Sequence, residues 1–382
     1  MRETNRLEVA GVFRVPVDVL VMATMKVALS KRGSISFKVV PRVILPTVKR
    51  LNLALVGFGN VNRALIGHLD RKAAELREGY NLEYQVTGVF SRRLGFLADV
   101  NGLDTTALLE DRKLGLEPVT SYEAWLEVAK PDVVFEASSL DPYTGQPAID
   151  YCRLALERGA HVVTANKGPI VHAYRELDAL AKSKGVRFLF EATFMGGSPI
   201  YSLFRETLPT AKLLQFRGMP NSTSTVVLNA IETGSSYEAG IRQAQDMGIA
   251  ETDPSYDVDG WDSTVKVIGL ANVLMGSSMG IDDVERLSIR SVPDAEIQAA
   301  FRANTPYRLV ATIWRDGETV RASVKPEKLE PSDPLRAATG ADMFAYFKTD
   351  VLPGLTVIGH DGDAHTTAYD MLCDFVTATK GR

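Results

Sequence analysis

The apolar run at 51–56 ends directly in Gly57-Phe58-Gly59, and the residues that follow, Val61, Leu65, Leu69, Ala73 and Leu76, recur at helical spacing. A strand that turns through glycine into a helix commits the chain to a β-then-α beginning. Further short apolar runs at 84–90, 132–136, 161–165 and 186–192 alternate with helical patterns at 122–129, 147–158 and 173–184. Alternation of this kind predicts an α/β fold of Rossmann type, a doubly wound parallel sheet with helices on its faces.

After Gly197 the rhythm changes. A helical stretch at 237–247 leads into an acidic loop, and runs at 309–315 and 319–324 flank the turn Asp316-Gly317, a hairpin signal. The second half is therefore expected to be an α+β substrate and dimerisation domain over 191–358. The dinucleotide-binding part is expected to span 48–190 and to be rejoined by 359–382, where 366–379 reads as a last helix.

Residues 1–47 differ in kind. They carry Arg2, Arg6, Arg14, Lys26, Lys31, Arg32, Lys38 and Arg42 against only Glu3, Glu8 and Asp18, and Asp18 and Lys26 interrupt the one apolar patch. A secretory signal fits poorly. The expectation is a basic N-terminal extension that is not part of the native protein, with Val48 as the initiator.

In 382 residues, 45% hydrophobic content, 24% charged content and a formal net charge of -4 describe an ordinary globular chain with no general pull toward nucleic acid or anionic membrane. No apolar run is long enough to span a bilayer. Cys152 and Cys373 have neither metal-ligand spacing nor the density of a disulfide scaffold, which fits a reducing, cytoplasmic setting with both packed as small apolar residues.

Four motifs carry chemistry. In Gly57-Phe58-Gly59-Asn60-Val61-Asn62, Gly57 permits a tight turn and Gly59 lets the backbone approach a pyrophosphate seated on the helix N-terminus. The third glycine of the full pattern is Asn62 here, so looser helix-strand packing is expected. The second strand runs into Ser91-Arg92-Arg93 with no acidic residue, and a guanidinium suits a 2'-phosphate, so NADP is favoured and NAD remains possible. Thr164-Ala165-Asn166-Lys167 follows a strand whose carboxyl end faces the ligand crevice, placing Lys167 toward the nicotinamide side.

The fourth motif, 251–266, packs Glu251, Asp257, Asp262 and Lys266 into sixteen positions. Asp259 and Gly260 precede an apolar run, so a helix is expected to begin near Trp261 and to put Asp262 and Lys266 on one face at i,i+4. Such a cluster can hold a substrate ammonium and pass a proton to a developing alkoxide. The plain alternative is an acidic loop before a surface helix, with an exposed ion pair worth at most about 1 kcal/mol.

With these motifs in place the chain resembles the homoserine dehydrogenases, in a short form without the regulatory domain, from about Val48 almost to its end. The similar segments are T-A-N-K at Thr164, E-A-T-F-M-G-G-S-P at Glu191, A-Q-D-M-G-I-A-E-T-D-P at Ala244 and D-V-D-G-W-D-S-T-V-K at Asp257. The resemblance implies NAD(P)H-dependent reduction of L-aspartate 4-semialdehyde to L-homoserine, in amino-acid biosynthesis leading to threonine and methionine, by a homodimer. It implies Lys266 as proton donor, Lys167 as a second lysine between nicotinamide and substrate, and Glu251, Asp257, Asp262 and Thr223 as substrate contacts. It places Gly57, Phe58, Gly59, Asn60, Val61, Ser91, Arg92, Ser138, Ser139, Lys167, Gly248 and Gly362 at the cofactor. It also implies a monovalent cation, usually sodium, on main-chain carbonyls at Glu191, Phe194, Gly196 and Ser198.

Departures from the family pattern are Ser222 in Asn221-Ser222-Thr223, and the loop His360-Asp361-Gly362-Asp363-Ala364-His365, which has aspartates where glycine is usual. That loop reads as polar rather than metal-binding. Feedback through an appended regulatory module is not expected. A reductase of another amino acid semialdehyde and a non-catalytic NADP-binding sensor are the alternatives.

Overall fold

The computed structural model describes residues 8–14, 20–29, 35–44, 48–250, 253–338, 340–360 and 362–380. Two compact units divide the chain. One contains β1 (Glu8–Arg14), β2 (Leu20–Leu29) and β3 (Ile35–Ile44), an antiparallel sheet in that order, and α2 (Ala73–Tyr80). The other comprises Leu51–Lys72 and everything from Tyr84 onward.

The larger unit begins with the strand-turn-helix of the sequence, β4 (Lys49–Val56) and α1 (Asn60–Arg71). The expected continuous helix breaks at Lys72, which leaves helical geometry, so Ala73 and Leu76 belong to α2 instead. There follow β5 (Leu82–Ser91), β6 (Gly95–Ala98), α3 (Thr105–Leu109), α4 (Tyr122–Ala129), β7 (Val133–Glu136), α5 (Ala148–Glu157), β8 (His161–Thr164), α6 (Gly168–Lys184) and β9 (Phe188–Leu189). The sheet order is β6-β5-β4-β7-β8-β9, with β4, β7, β8 and β9 mutually parallel and β6 antiparallel at the edge. Leu53, Ala54, Leu55 and Val56 pair with Val133, Val134, Phe135 and Glu136, and all eight are fully buried. Strands covered on both faces need apolar residues at every position rather than at alternate ones, which is why 53–56 is an unbroken apolar run.

The second part of this unit contains β10 (Leu213–Met219), α7 (Ser222–Glu232), α8 (Tyr237–Asp246), α9 (Ser255–Val258), α10 (Trp261–Leu274), β11 (Val284–Arg286), α11 (Asp294–Arg302), β12 (Tyr307–Asp316), β13 (Thr319–Lys328), β14 (Met343–Thr349) and β15 (Leu355–Gly359). The sheet order is β11-β13-β12-β10-β14-β15, antiparallel except for β11 on β13. The expected hairpin forms, its ladder closing at Asp316 and Thr319 around Gly317, whose φ of 61° a glycine adopts without strain. Helices α7, α10 and α11 pack on β12. From Asp262 through Asn272 every residue of α10 is buried, so this helix runs through the interior instead of lying on a surface.

The last helix, α12 (Ala364–Thr379), returns to pack on α1. Cys152 is fully buried as expected, whereas Cys373 lies on the exposed side of α12, because only part of that helix faces the core. No helix among the described residues is long and apolar enough to cross a membrane.

Candidate active site

The carboxyl ends of β4, β7 and β8 open onto a cavity of about 340 Å3 whose lining includes Val61, Ser138, Lys167, Gly196, Lys266 and Gly362. Both lysines singled out from the sequence reach it. They arrive from different directions, Lys167 from the turn after β8 and Lys266 from within α10.

Asp262 joins them. Its Oδ2 is 2.8 Å from Lys266 Nζ, and its Oδ1 is 3.3 Å from Lys167 Nζ. Lys266 Nζ also donates to the Pro220 carbonyl at 2.5 Å. An ammonium has three protons to donate, so two are engaged and one is left for a ligand in the cavity. The Asp262 side chain is only 9% exposed and that of Lys266 10%, so the surface ion pair of the plain alternative is not what forms.

Burial and electrostatics pull these groups in opposite directions. Burial pushes the Asp262 carboxyl up, but the charges of Lys266 and then Lys167, with hydrogen bonds from Lys266 and Asn221, outweigh it and hold Asp262 well below the usual carboxylate range. For Lys266 burial wins: its pKa is lowered, Asp262 opposing the shift and the charge of Lys167 adding to it. Asp257 is pushed up by burial and by the neighbouring Asp262 charge.

Asn221 was not singled out from the sequence as a site residue, and it links the acidic groups. Its amide donates to Asp257 Oδ1 at 2.8 Å and to Asp262 Oδ2 at 3.1 Å, while its Oδ1 caps α7 by accepting from Ser224 N at 2.9 Å. Thr223, the next residue but one, donates to the Ile249 carbonyl at 3.2 Å. Glu251 lies outside the described residues.

On the nucleotide side, Gly57 has a φ of 79°, and a Cβ there would stand 2.4 Å from the Ala137 carbonyl oxygen. Only glycine fits. Gly59 differs: a Cβ would meet no protein atom within 4 Å, so the space beside it is open to a ligand. Phe58 is buried, and Asn60 begins α1. Asn62 does not loosen the turn as expected. It is fully buried, and its amide donates to the carbonyls of Val56 at 3.1 Å and Gly57 at 2.6 Å, so the side chain stitches the turn where a third glycine would allow close packing.

Glu136, another residue not singled out from the sequence, organises the floor of the crevice. It ends β7 fully buried, accepts from Ser138 N at 2.9 Å and from the Ser138 hydroxyl with its Oε1, and accepts from Thr164 Oγ1 at 2.8 Å with its Oε2. Burial raises its pKa against these bonds. Asn166 then ties the two loops, donating to the carbonyls of Ser138 at 3.2 Å and Ser139 at 3.4 Å and accepting from Gly168 N at 2.9 Å. Lys167 is thus held between two fixed neighbours. The available signal was a lone carboxylate closing the apolar strand Val-Val-Phe-Glu.

Other expected positions are dispersed. Ser91 accepts from Leu94 N at 3.1 Å, and Arg92 is exposed. Gly248, with φ 74°, follows α8 and is not among the residues lining this cavity. Asp363 caps α12 and His360 pairs with Asp342 at 2.7 Å, while Asp361 lies outside the described residues. Among the described residues no group of three or more His, Cys, Asp or Glu side chains could hold a metal.

The residues suggested for a cation lie on one loop. Glu191 starts it, its carboxylate accepting from the N–H groups of Ile200 and Tyr201 at 2.5 and 2.7 Å and Ser202 at 2.6 Å. Asp374 and Asp370 of α12 accept from Glu191 N at 2.7 Å and Gly197 N at 2.8 Å. Phe194 and Ser198 are buried, Gly197 has a φ of 78°, and Gly196 borders the cavity. Burial pushes the Asp370 carboxyl up to about 8 and that of Asp374 up to about 7.

A dinucleotide fold in which Val61 of the helix after the glycine turn and two lysines line one cavity is that of a nicotinamide-nucleotide-dependent oxidoreductase. The homoserine dehydrogenase pattern matches residues 199–376, and the pattern of the NAD-binding domain of homoserine dehydrogenase matches residues 57–191. The chain is 34% identical to an NAD(+)-dependent homoserine dehydrogenase of Pseudomonas canavaninivorans over 85% of this chain and 95% of that protein. It is 33% identical to a homoserine dehydrogenase of Methanocaldococcus jannaschii over 85% of this chain and 98% of that one. A solved hyperthermophilic archaeal homoserine dehydrogenase in complex with NADPH is similar with a TM-score of 0.73 and 30% identity, covering 87% of this chain and 98% of that chain. This chain belongs to the homoserine dehydrogenase family.

Proposed function

We propose that the chain reduces L-aspartate 4-semialdehyde to L-homoserine, with Lys266 donating the proton to the carbonyl oxygen. The observation that carries this reading is the Asp262 carboxylate holding Lys266 and Lys167 at the same cavity. Bound there, a reduced nicotinamide supplies the hydride for the aldehyde carbon. As the oxygen becomes anionic, the unengaged proton of Lys266 stabilises it and is then transferred. A lowered Lys266 pKa eases that transfer, and Asp262 keeps the ammonium in place and charged beforehand.

Both oxygens of Asp262 face lysines, so its part is to position them. Asp257 and Thr223 are left to meet the amino-acid end of the substrate, together with Glu251. A substrate ammonium would draw the raised Asp257 carboxyl back to its ionised form, which favours an amino acid over a simple hydroxy acid. The loop at Glu191, Phe194, Gly196 and Ser198 would hold a monovalent cation, sodium, as a structural tie. The working unit is proposed to be a homodimer.

The test is consumption of NADH or NADPH by the purified chain with L-aspartate 4-semialdehyde, with other amino acid semialdehydes in parallel. The expected result is turnover on the aspartate compound far above the others. Turnover only on a different semialdehyde would reassign the substrate, and cofactor binding without any turnover would remove the enzyme reading.

A further inference from the structure

The sequence shows no acidic residue at the end of β5, where a carboxylate ordinarily receives the free ribose 2'-hydroxyl of a nicotinamide nucleotide. The fold supplies one from elsewhere. Asp111, two residues beyond the end of α3, meets Arg63 of α1 in a two-pronged pair, Nη1 to Oδ1 and Nη2 to Oδ2, both at 3.2 Å. Arg93, from the loop that follows β5, donates through Nη2 to the same Oδ1.

Each arm of this arrangement is fixed to the nucleotide-binding turn. Gly57 N donates to the Phe90 carbonyl at 2.9 Å, so the glycine turn and the end of β5 are neighbours. Arg63 lies one turn into the helix that the glycines open, donates to the Leu109 carbonyl at 2.6 Å, and has its guanidinium 5.1 Å from the centre of the Phe58 ring. Asp111 itself has a φ of 57°, a left-handed conformation that aspartate and asparagine tolerate better than most residues. The hydrogen bonds from Arg93 and Arg63 hold its carboxyl below the usual range, so it is charged at neutral pH.

We propose that Asp111 sets the choice between the two nicotinamide nucleotides, favouring NAD(H) by occupying the Arg63 and Arg93 guanidiniums that the 2'-phosphate of NADP(H) would need. A 2'-phosphate is a dianion that a guanidinium binds through two oxygens. To engage either arginine it must displace the Asp111 carboxylate or lie against a like charge. A ribose 2'-hydroxyl meets no such conflict, because it donates its proton to a carboxylate already oriented by two cations. Exposed Arg92 is the guanidinium left beside the strand end for a phosphate that does bind.

The inference deepens the proposed reductase reading and rests on it for its kinetic test. In the full-length chain, kcat/KM for NADPH and for NADH is measured with the semialdehyde substrate before and after Asp111→Asn, which keeps the left-handed backbone and removes the charge. Asp111→Gly, free of strain at that φ, serves as a second variant. The NADPH-to-NADH ratio is expected to rise roughly tenfold, about the worth of one charge-assisted hydrogen bond, through KM with kcat unmoved. Calorimetric titration with adenosine 2',5'-bisphosphate against 5'-AMP gives a second readout that needs no turnover, and the bisphosphate is expected to gain affinity selectively. A ratio that stays the same or falls in both variants, with no selective gain for the bisphosphate, would overturn the proposal. Absence of turnover on any semialdehyde would overturn the reductase reading alone, since the titration still decides the role of Asp111.

Discussion

Asp262 Oδ2 lies 2.8 Å from Lys266 Nζ on the next turn of a helix with no solvent-facing side over that stretch, and Asp262 Oδ1 lies 3.3 Å from Lys167 Nζ. One buried carboxylate therefore compensates two ammonium groups. Asp262→Asn keeps the shape and removes the charge, leaving both cations uncompensated. Removing one partner of a buried pair costs about 3–5 kcal/mol, so urea unfolding is expected to show a loss of that order together with a fall in kcat. A variant as stable and as active as the parent would mean that the lysines find other partners.

The pH profile follows from Lys266. Its pKa is lowered by burial despite Asp262, so the group loses its proton below the ordinary lysine range near about 10.4. Reduction needs the protonated amine. Its kcat/KM is expected to fall as pH rises through this lowered value, while oxidation of homoserine, which needs the free amine, rises over the same interval. Asp262→Asn removes the group that favours the charged form and is expected to move both limbs to lower pH.

Gly57 and Gly59 should respond differently to alanine. At Gly57 a Cβ collides with Ala137 backbone at a φ of 79°, so Gly57→Ala is expected to lower stability as well as cofactor affinity. At Gly59 the protein leaves room, so Gly59→Ala is expected to unfold like the parent and yet bind nicotinamide nucleotide more weakly. Thermal unfolding and fluorescence titration of NADH and NADPH separate the two cases.

Glu136→Ala would take the acceptor from Ser138 N and the Ser138 hydroxyl and leave the Thr164 hydroxyl only its longer bond to the Asn166 carbonyl at 3.4 Å. Each buried group left unpaired costs roughly 1–3 kcal/mol. The expected outcome in urea unfolding is a loss of at least that size, with a raised KM for the cofactor because Ser138 and Lys167 lose their shared anchor. Glu136→Gln retains an acceptor and should recover part of both.

Much of this was legible in the sequence where the signal is local. Gly260 before an apolar run marked the start of α10 at Trp261, and the i,i+4 spacing of Asp262 and Lys266 placed them together. The glycine turn and the hairpin around Gly317 read correctly for the same reason. What stayed hidden depends on partners distant in the chain. Nothing near Asp262 announces Lys167, and nothing near Arg93 announces Asp111. Helix α7 was missed because Ser-Thr-Ser-Thr-Val-Val is rich in β-branched residues of low helix propensity, and the Asn221 cap with burial overrides that preference. Strand β10 was missed because Gly218 interrupts it, a glycine that the close Phe344 carbonyl requires, 2.4 Å from where a Cβ would stand.

Lys266 is the group that meets the developing alkoxide in the proposed reaction, and single-turnover reduction of L-aspartate 4-semialdehyde by Lys266→Ala at saturating cofactor reaches it most directly. The predicted result is a chemical step slowed by about 10²–10⁴ with NADH and NADPH affinities unchanged. A chemical step as fast as that of the parent chain would contradict it and leave the proton transfer to Lys167 or to water.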